Sequence, residues 1–282
     1  MEVRRAAVAG TWYPGTREAL ARAVDSHLDA ASRRNVDVDD LPSCPIALIA
    51  PHAGLTYSGP VAAYAYQLVR GCGYDAIVLV GPSHFVGFEG VSIWPRGAWE
   101  TPFGPVTIAE DLATAIIEAS PIIQERPAAH AREHSLEMQM PFVARLLPGI
   151  PVVPMVMGHQ TRATSERLGD TLARILDQPA AGPGRNVLLI ASSDLSHFND
   201  ARTAAAMDGV VTGCVDSFDP DALMDALERE PTHACGGGPM VAVLRAARRL
   251  GATRARVLRY ADSGDVSGDK ASVVGYMAAA AW

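Results

Sequence analysis

The sequence predicts an α/β fold: a single domain over residues 1–282, with a mixed or mostly parallel central sheet and helices on both faces. Three observations predict it. The runs Ile46-Ala47-Leu48-Ile49-Ala50, Ala76-Ile77-Val78-Leu79-Val80 and Val187-Leu188-Leu189-Ile190-Ala191 are short, apolar and without alternation, as strands covered on both faces are. Stretches with helical periodicity separate them, the pattern of β-α-β units. Each run also ends in a turn of small and polar residues, so the strands would share one C-terminal edge.

The elements follow in order. Thr16 is placed to cap a helix over Arg17 to Ser32, with Leu20, Ala23, Val24 and Leu28 on one face. Asn35 to Pro45 is a polar, proline-containing connector. A strand is expected at 46–50, a helix from Pro60 with Val61, Tyr64 and Leu68 inward, and a strand at 75–80. Gly87 to Pro105, with Trp94 and Trp99, reads as a long loop or hairpin. Helices are expected at 109–119 and 135–147, a strand at 151–157, a helix at 163–177 and a strand at Val187 to Ser192. Helices follow near 201–213 and 220–229, then a helix from Pro239 to Leu250, and strands near 255–260 and 272–279.

Composition bounds the function. The chain has 282 residues, 49% of them hydrophobic, enough for one large core. A formal net charge of -7 and the absence of a basic run argue against nucleic acid as a partner. No apolar stretch approaches the roughly 20 residues that a membrane span needs. Met1 to Gly10 leads into no apolar segment, so no secretion signal is read and a cytoplasmic location is expected. Cys44, Cys72, Cys214 and Cys235 form no framework and are expected to be thiols in a reducing cytosol.

The chemistry gathers at the strand ends. His52 and His84 occupy equivalent turns after two strands, Pro51-His52-Ala53-Gly54 and Gly81-Pro82-Ser83-His84. Ligands of open α/β sheets bind at that edge, and paired imidazoles there suggest a metal site. A third strand leads into Ser192-Ser193-Asp194-Leu195-Ser196-His197. In a helical turn Asp194 and His197 share a face, which suits a carboxylate orienting an imidazole; helix capping is the plainer role for Asp194. Cys235 precedes Gly236-Gly237-Gly238-Pro239. Pro239 marks a helix start, where the positive dipole end favours a thiolate; a buried cysteine in a tight turn is the alternative.

Other motifs carry less. His130-Ala131-Arg132-Glu133-His134 fits the inverted zinc-peptidase pattern, but that needs a continuous helix, and a helix is expected to begin only near Ser135. Asp262, Asp265 and Asp269 depart from calcium-loop spacing and read as a solvated turn. Neither a nucleophile elbow nor a dinucleotide fingerprint occurs.

On these residues the chain resembles the Memo-like family, protein B of the AmmeMemoRadiSam system, which is related to class III extradiol dioxygenases. The resemblance runs from Ala9-Gly10-Thr11-Trp12-Tyr13-Pro14, through the His52 turn with Tyr57-Ser58-Gly59 and the His84 turn, to Glu133-His134-Ser135-Leu136-Glu137, Ser192 to His197, and Cys235 to Pro239. It implies His52, His84 and Cys235 as metal ligands, with the cysteine where the dioxygenases use a glutamate. It implies His197 as an acid/base with Asp194 alongside, and Glu133, His134 and Tyr57 as pocket residues. The implied ion is Fe(II), with Cu or Zn as alternatives, since a thiolate softens the site. AMMECR1-like and radical SAM proteins are implied as partners. Three readings stay open: a non-haem iron, dioxygenase-like oxidoreductase on a small oxygenated substrate; a non-catalytic metal- or partner-binding or redox protein; and a metal-dependent hydrolase.

Overall fold

The computed structural model describes residues 2–33, 44–177 and 185–282. In chain order its elements are β1 (Val3–Arg4), α1 (Arg17–Arg33), β2 (Ala47–Ala50), α2 (Leu55–Gln67), β3 (Ala76–Pro82), β4 (Val91–Ile93), β5 (Ala98–Trp99) and β6 (Val106–Thr107). Then come α3 (Glu110–Ala119), β7 (Ile123–Glu125), α4 (Pro127–Ala131), α5 (Met140–Leu146), β8 (Val152–Met157), α6 (Arg162–Leu176), β9 (Val187–Ser192) and β10 (His197–Asn199). The chain ends with α7 (Ala201–Asp216), α8 (Pro220–Arg229), α9 (Gly237–Arg249), β11 (Ala255–Asp262), α10 (Gly264–Ser267) and β12 (Val273–Ala281).

The sheet is mixed. Nine strands run in the order β10-β12-β2-β9-β3-β8-β4-β7, with β11 also on β12. β2, β9, β3 and β8 are mutually parallel, and every residue in them is buried. That is why these runs show no alternation: both faces are covered by helices. β12 and β4 flank this block antiparallel to it. A second, three-stranded sheet joins β1, β5 and β6.

Parallel register puts the chemistry at one edge. Ala50 pairs with Ser192 and Val80 with Ala191, so the turns carrying His52, His84 and Asp194 leave the sheet side by side. The N-terminal segment is brought to the same edge by buried Glu137. Its carboxylate accepts from the Arg4 guanidinium, the Tyr13 hydroxyl and the amides of Ala7 and Val8. The Leu55 amide at the start of α2 then donates to the Trp12 carbonyl.

Several elements differ from the sequence reading. α2 starts at Leu55, not Pro60, because Gly54 accepts the amides of Tyr57 and Ser58, and the Ser58 hydroxyl ties back to Ala53; Pro60 is carried inside the helix. Gly87 to Pro105 is not one hairpin: β4 joins the central sheet and β5 the small one. The helix expected at 135–147 begins at Met140, after a 3-10 turn at Glu137–Gln139, since the Ser135 amide is drawn to the Glu133 carboxylate. The short α4, which the sequence reading lacked, ends before Glu133, so no continuous helix holds His130 and His134. The connector residues 35–43 lie outside the described residues.

Two of the four expected thiols are not thiols: Cys44 and Cys72 form a disulfide, while Cys214 and Cys235 are free. The β2–α2 unit brings these two together across a sequence separation of 28, which no local spacing signalled. The acidic turn is held by Lys270, which pairs with Asp262 and Asp265. No helix among the described residues is long and apolar enough to cross a membrane.

Candidate metal centre at the sheet edge

Three imidazoles meet at the edge. The ligand atoms of His52, His84 and His134 lie within 4.8 Å of one another, with His52 and His134 buried and His84 exposed. His84 and His134 stack with ring centroids 4.5 Å apart, and His52 stands edge-on to both. Trp12 closes over His134 at 4.4 Å.

The hydrogen bonds decide which nitrogen of each ring is available. The Ser192 hydroxyl has one proton, and it goes to the Ser135 carbonyl at 2.7 Å. The Gln139 amide donates to Ser192 Oγ at 2.7 Å, and Gln139 is itself oriented by the Tyr66 hydroxyl. His52 Nδ1, 2.9 Å from Ser192 Oγ, must therefore be the donor. That leaves the lone pair on Nε2. Burial, with the charges of His84 and His134 adding, holds the His52 pKa well below the usual 6.5, so the ring stays neutral.

Glu133 does the same for His84. Its Oε2 accepts the His84 amide at 2.6 Å and its Oε1 accepts His84 Nδ1 at 2.9 Å, along with the amides of His134 and Ser135. Burial alone would raise the Glu133 pKa. The His84 side-chain and amide hydrogen bonds, the His84 charge and the Ser135 amide outweigh it and bring it to about 2. An ionised carboxylate only accepts, so His84 Nδ1 donates and Nε2 is again the outward atom. A carboxylate or hydroxyl behind an imidazole is the arrangement that orients metal-binding histidines.

Cys235 reaches this cluster through His52. Its Sγ is 3.3 Å from His52 Nε2 and accepts the Asp194 amide at 3.3 Å, while the Cys235 amide donates to the Asp194 carbonyl at 3.2 Å. The turn is tight because Gly236 packs on the Ser192–Ser193 backbone; a Cβ there would sit 2.4 Å from the Ser192 carbonyl oxygen. The helix-dipole expectation is outweighed. Burial, with the Asp194 charge adding, pushes the thiol pKa up. A cation at Sγ would offset that; of the imidazoles, the sulfur lies beside His52 Nε2 alone, and the three ligand atoms that lie within 4.8 Å of one another are those of His52, His84 and His134. On its other side Cys235 borders a cavity of about 450 Å³ with Gln160, Arg162, Met224 and Leu227.

The remaining pocket residues are spread. Asp194 is not in a helical turn with His197: residues 193–196 are irregular and His197 begins β10. Its Oδ1 instead accepts the amides of His52 and Ala53, which need an acceptor where β2 gives way to α2. Burial raises its pKa to about 7, against those two amides and the His84 charge. His197 Nδ1 faces the Leu195 carbonyl at 2.8 Å, so it donates and Nε2 is free; burial lowers its pKa below 6.5. Burial, with the His84 charge adding, also lowers His134, to about 4. Tyr57 lines a cavity of about 290 Å³ with Tyr64, Arg259 and Asp262.

Sequence reasoning missed the Tyr66–Gln139–Ser192 relay behind His52. Each member lies inside an apolar stretch, and the one available signal was a buried polar residue in such a stretch.

The sequence comparisons agree on one family, and the structural comparison bears on the fold alone. The family model described as Memo-like protein matches residues 4–280. A MEMO1 family protein of Aeropyrum pernix is 37% identical over 99% of both chains. One from Methanothermobacter thermautotrophicus is 37% identical over 97% of this chain and 98% of its own. One from Thermotoga maritima is 36% identical over 98% of both. Among solved structures, an uncharacterized protein of Escherichia coli K12 superposes with a TM-score of 0.54 at 18% identity, over 82% of this chain and 98% of that one.

Proposed function

The chain belongs to the Memo-like protein family, and from that premise we propose that its sheet-edge pocket holds one transition-metal ion and acts on a small oxygenated molecule as a non-haem iron oxidoreductase. One observation carries the metal reading: His52 and His84 each have Nδ1 committed to a buried acceptor, which leaves both Nε2 atoms for an ion. His52, His84 and Cys235 would hold it, with His134 beside them. Imidazoles with a thiolate suit iron, copper or zinc and not magnesium or calcium; Fe(II) is the ion we assign. Bound there, it supplies Lewis acidity and one-electron chemistry toward a chelating substrate.

The chain's own part is proton handling. His197 is held by the Leu195 carbonyl with Nε2 unprotonated, so it can take a substrate hydroxyl proton. Asp194, with a pKa near 7, fixes the His52 turn and can hold a proton at neutral pH.

A second reading, a metal-holding redox protein without turnover, is favoured by Cys235, because a thiol against the ion is itself oxidisable. Anaerobic purification with metal analysis, then oxygen uptake with a series of diols, tests both. Iron retained by the wild type, lost in His52→Ala, with uptake that Cys235→Ala changes, supports the oxidoreductase. Iron retained without uptake supports the second reading. A wild type that takes up no iron, copper or zinc on reconstitution overturns both.

A further inference from the structure

Asp208, in the middle of α7, is a fully buried carboxylate whose hydrogen-bond partners are not cations. Its Oδ1 accepts the Ser196 amide at 2.9 Å and its Oδ2 accepts the Tyr260 hydroxyl at 2.9 Å. A carboxylate is costly to bury on such terms, yet the fold makes room for it. β12 carries Gly275 at this point, where any side chain would collide with the Asp208 carboxylate. Gly275 also stitches the neighbouring segment in place: its carbonyl accepts the Leu195 amide and its amide donates to the Ser196 carbonyl.

The Ser196 amide and the Leu195 carbonyl belong to one peptide group. That carbonyl accepts His197 Nδ1–H at 2.8 Å. The order is therefore carboxylate, peptide N–H, peptide C=O, imidazole N–H, with both hydrogen bonds pointing toward the carboxylate. A peptide shares its electrons along O–C–N, so an anion on its N–H makes its carbonyl oxygen more negative. The oxygen then holds Nδ1–H more firmly and favours positive charge on the ring. A carboxylate in direct contact with an imidazole has the same effect; here one planar peptide stands between them.

We propose that Asp208 is the positioning carboxylate of His197, acting through the Leu195–Ser196 peptide to keep Nδ1 protonated and to make Nε2 a stronger base. The role that spacing suggested for Asp194 passes to a residue of another element. Its use in chemistry rests on the proton-accepting role given to His197 above. Other groups act on the same ring. Burial lowers the His197 pKa, the Leu195 carbonyl raises it, the His84 charge lowers it and the Asp208 charge raises it. His52 is a further imidazole in range. Asp208 in turn faces Tyr260 and the His233 ring.

The test is proton, carbon-13 and nitrogen-15 NMR of the metal-free protein, with the His197 signals assigned by their loss in His197→Gln. Asp208→Asn keeps an acceptor for the Ser196 amide and removes the charge. The His197 midpoint is expected to fall by about half a unit to one unit, roughly a three- to tenfold loss of proton affinity, and the Nδ1 proton to move upfield. An unchanged midpoint and an unchanged Nδ1 proton in that variant overturn the proposal, since Asp208 would then only hold the turn. The wild type tests it without any variant. Asp208 must be ionised at neutral pH by its carboxylate carbon shift, and His197 must carry its proton on Nδ1; a protonated Asp208, or a His197 proton on Nε2, overturns the proposal. All of this is read without metal, so failure of the metal reading shows separately, as absence of metal uptake on reconstitution.

Discussion

Glu133 holds His84 at both its backbone and its ring: one carboxylate oxygen takes the amide at 2.6 Å and the other takes Nδ1 at 2.9 Å. The position of one imidazole of the cluster is therefore set by a residue 49 positions away. Glu133→Gln keeps the shape but turns an NH2 group toward donors that need an acceptor. The expected outcome is a loss of about 10–100-fold in metal affinity and about 2–3 kcal/mol of stability. Competition with a chromophoric chelator reads the first and urea unfolding the second. Unchanged metal affinity would remove Glu133 from the site.

Ser192 fixes the tautomer of His52. In Ser192→Ala, Nδ1 loses its acceptor and the proton can move to Nε2, where it blocks the metal. Affinity is expected to fall by about tenfold, with roughly 1–2 kcal/mol lost as the Ser135 carbonyl loses its donor and the Gln139 amide, still held by the Pro51 carbonyl, loses one of its acceptors. Nitrogen-15 shifts of the His52 ring check the tautomer directly. A ring that keeps Nδ1–H without Ser192 contradicts the account.

Acid acts on the buried imidazoles. Burial, together with the Arg4 charge, lowers the His130 pKa from 6.5 to about 3. Its neutral form is favoured by folding, so the stability it permits is present above pH 6.5 and is lost as pH falls toward 3. By pH 4.5 the loss from His130 alone is about 3 kcal/mol. His134 adds in the same direction between 6.5 and about 4. Glu133 works the same way lower down, stabilising above 4.5 and less as pH falls toward 2. Asp194 opposes: its raised pKa costs stability as pH rises from 3.8 to about 7. The histidines outnumber it, so the urea midpoint of the metal-free protein should drop steadily between pH 6.5 and 4.5. A midpoint that rises on acidification would show the histidines to be charged in the fold.

The Cys44–Cys72 link closes a loop that contains β2, the His52 turn and α2. Reduction, or Cys72→Ser, is expected to cost about 3 kcal/mol through the larger freedom of the unfolded chain. Thermal unfolding with and without reductant measures it. Identical transitions in both would mean that the bond contributes nothing.

The sequence alone determined the sheet and its chemical edge. Continuous apolar runs require burial on both faces, and that forces β2, β3 and β9 into a parallel block with His52, His84 and Asp194 at one end. Those inferences rest on local periodicity, and local periodicity is written in consecutive residues. What it could not show were pairings between distant residues. Leu55 and His197 mark element starts tied to distant parts of the chain, the Trp12 carbonyl and β12. The disulfide, the relay from Tyr66 to Ser192, and His134 in the imidazole cluster likewise depend on which turns meet in space. The same holds for Cys235. Its spacing suggested a dipole-activated thiolate, while the tertiary structure packs it against His52 beside Asp194, where burial and the Asp194 charge outweigh the hydrogen bonds that favour the charged form. Charge and tautomer at this edge are properties of the assembled environment, because burial and hydrogen-bond partners set them, and those partners come from separate stretches of the chain.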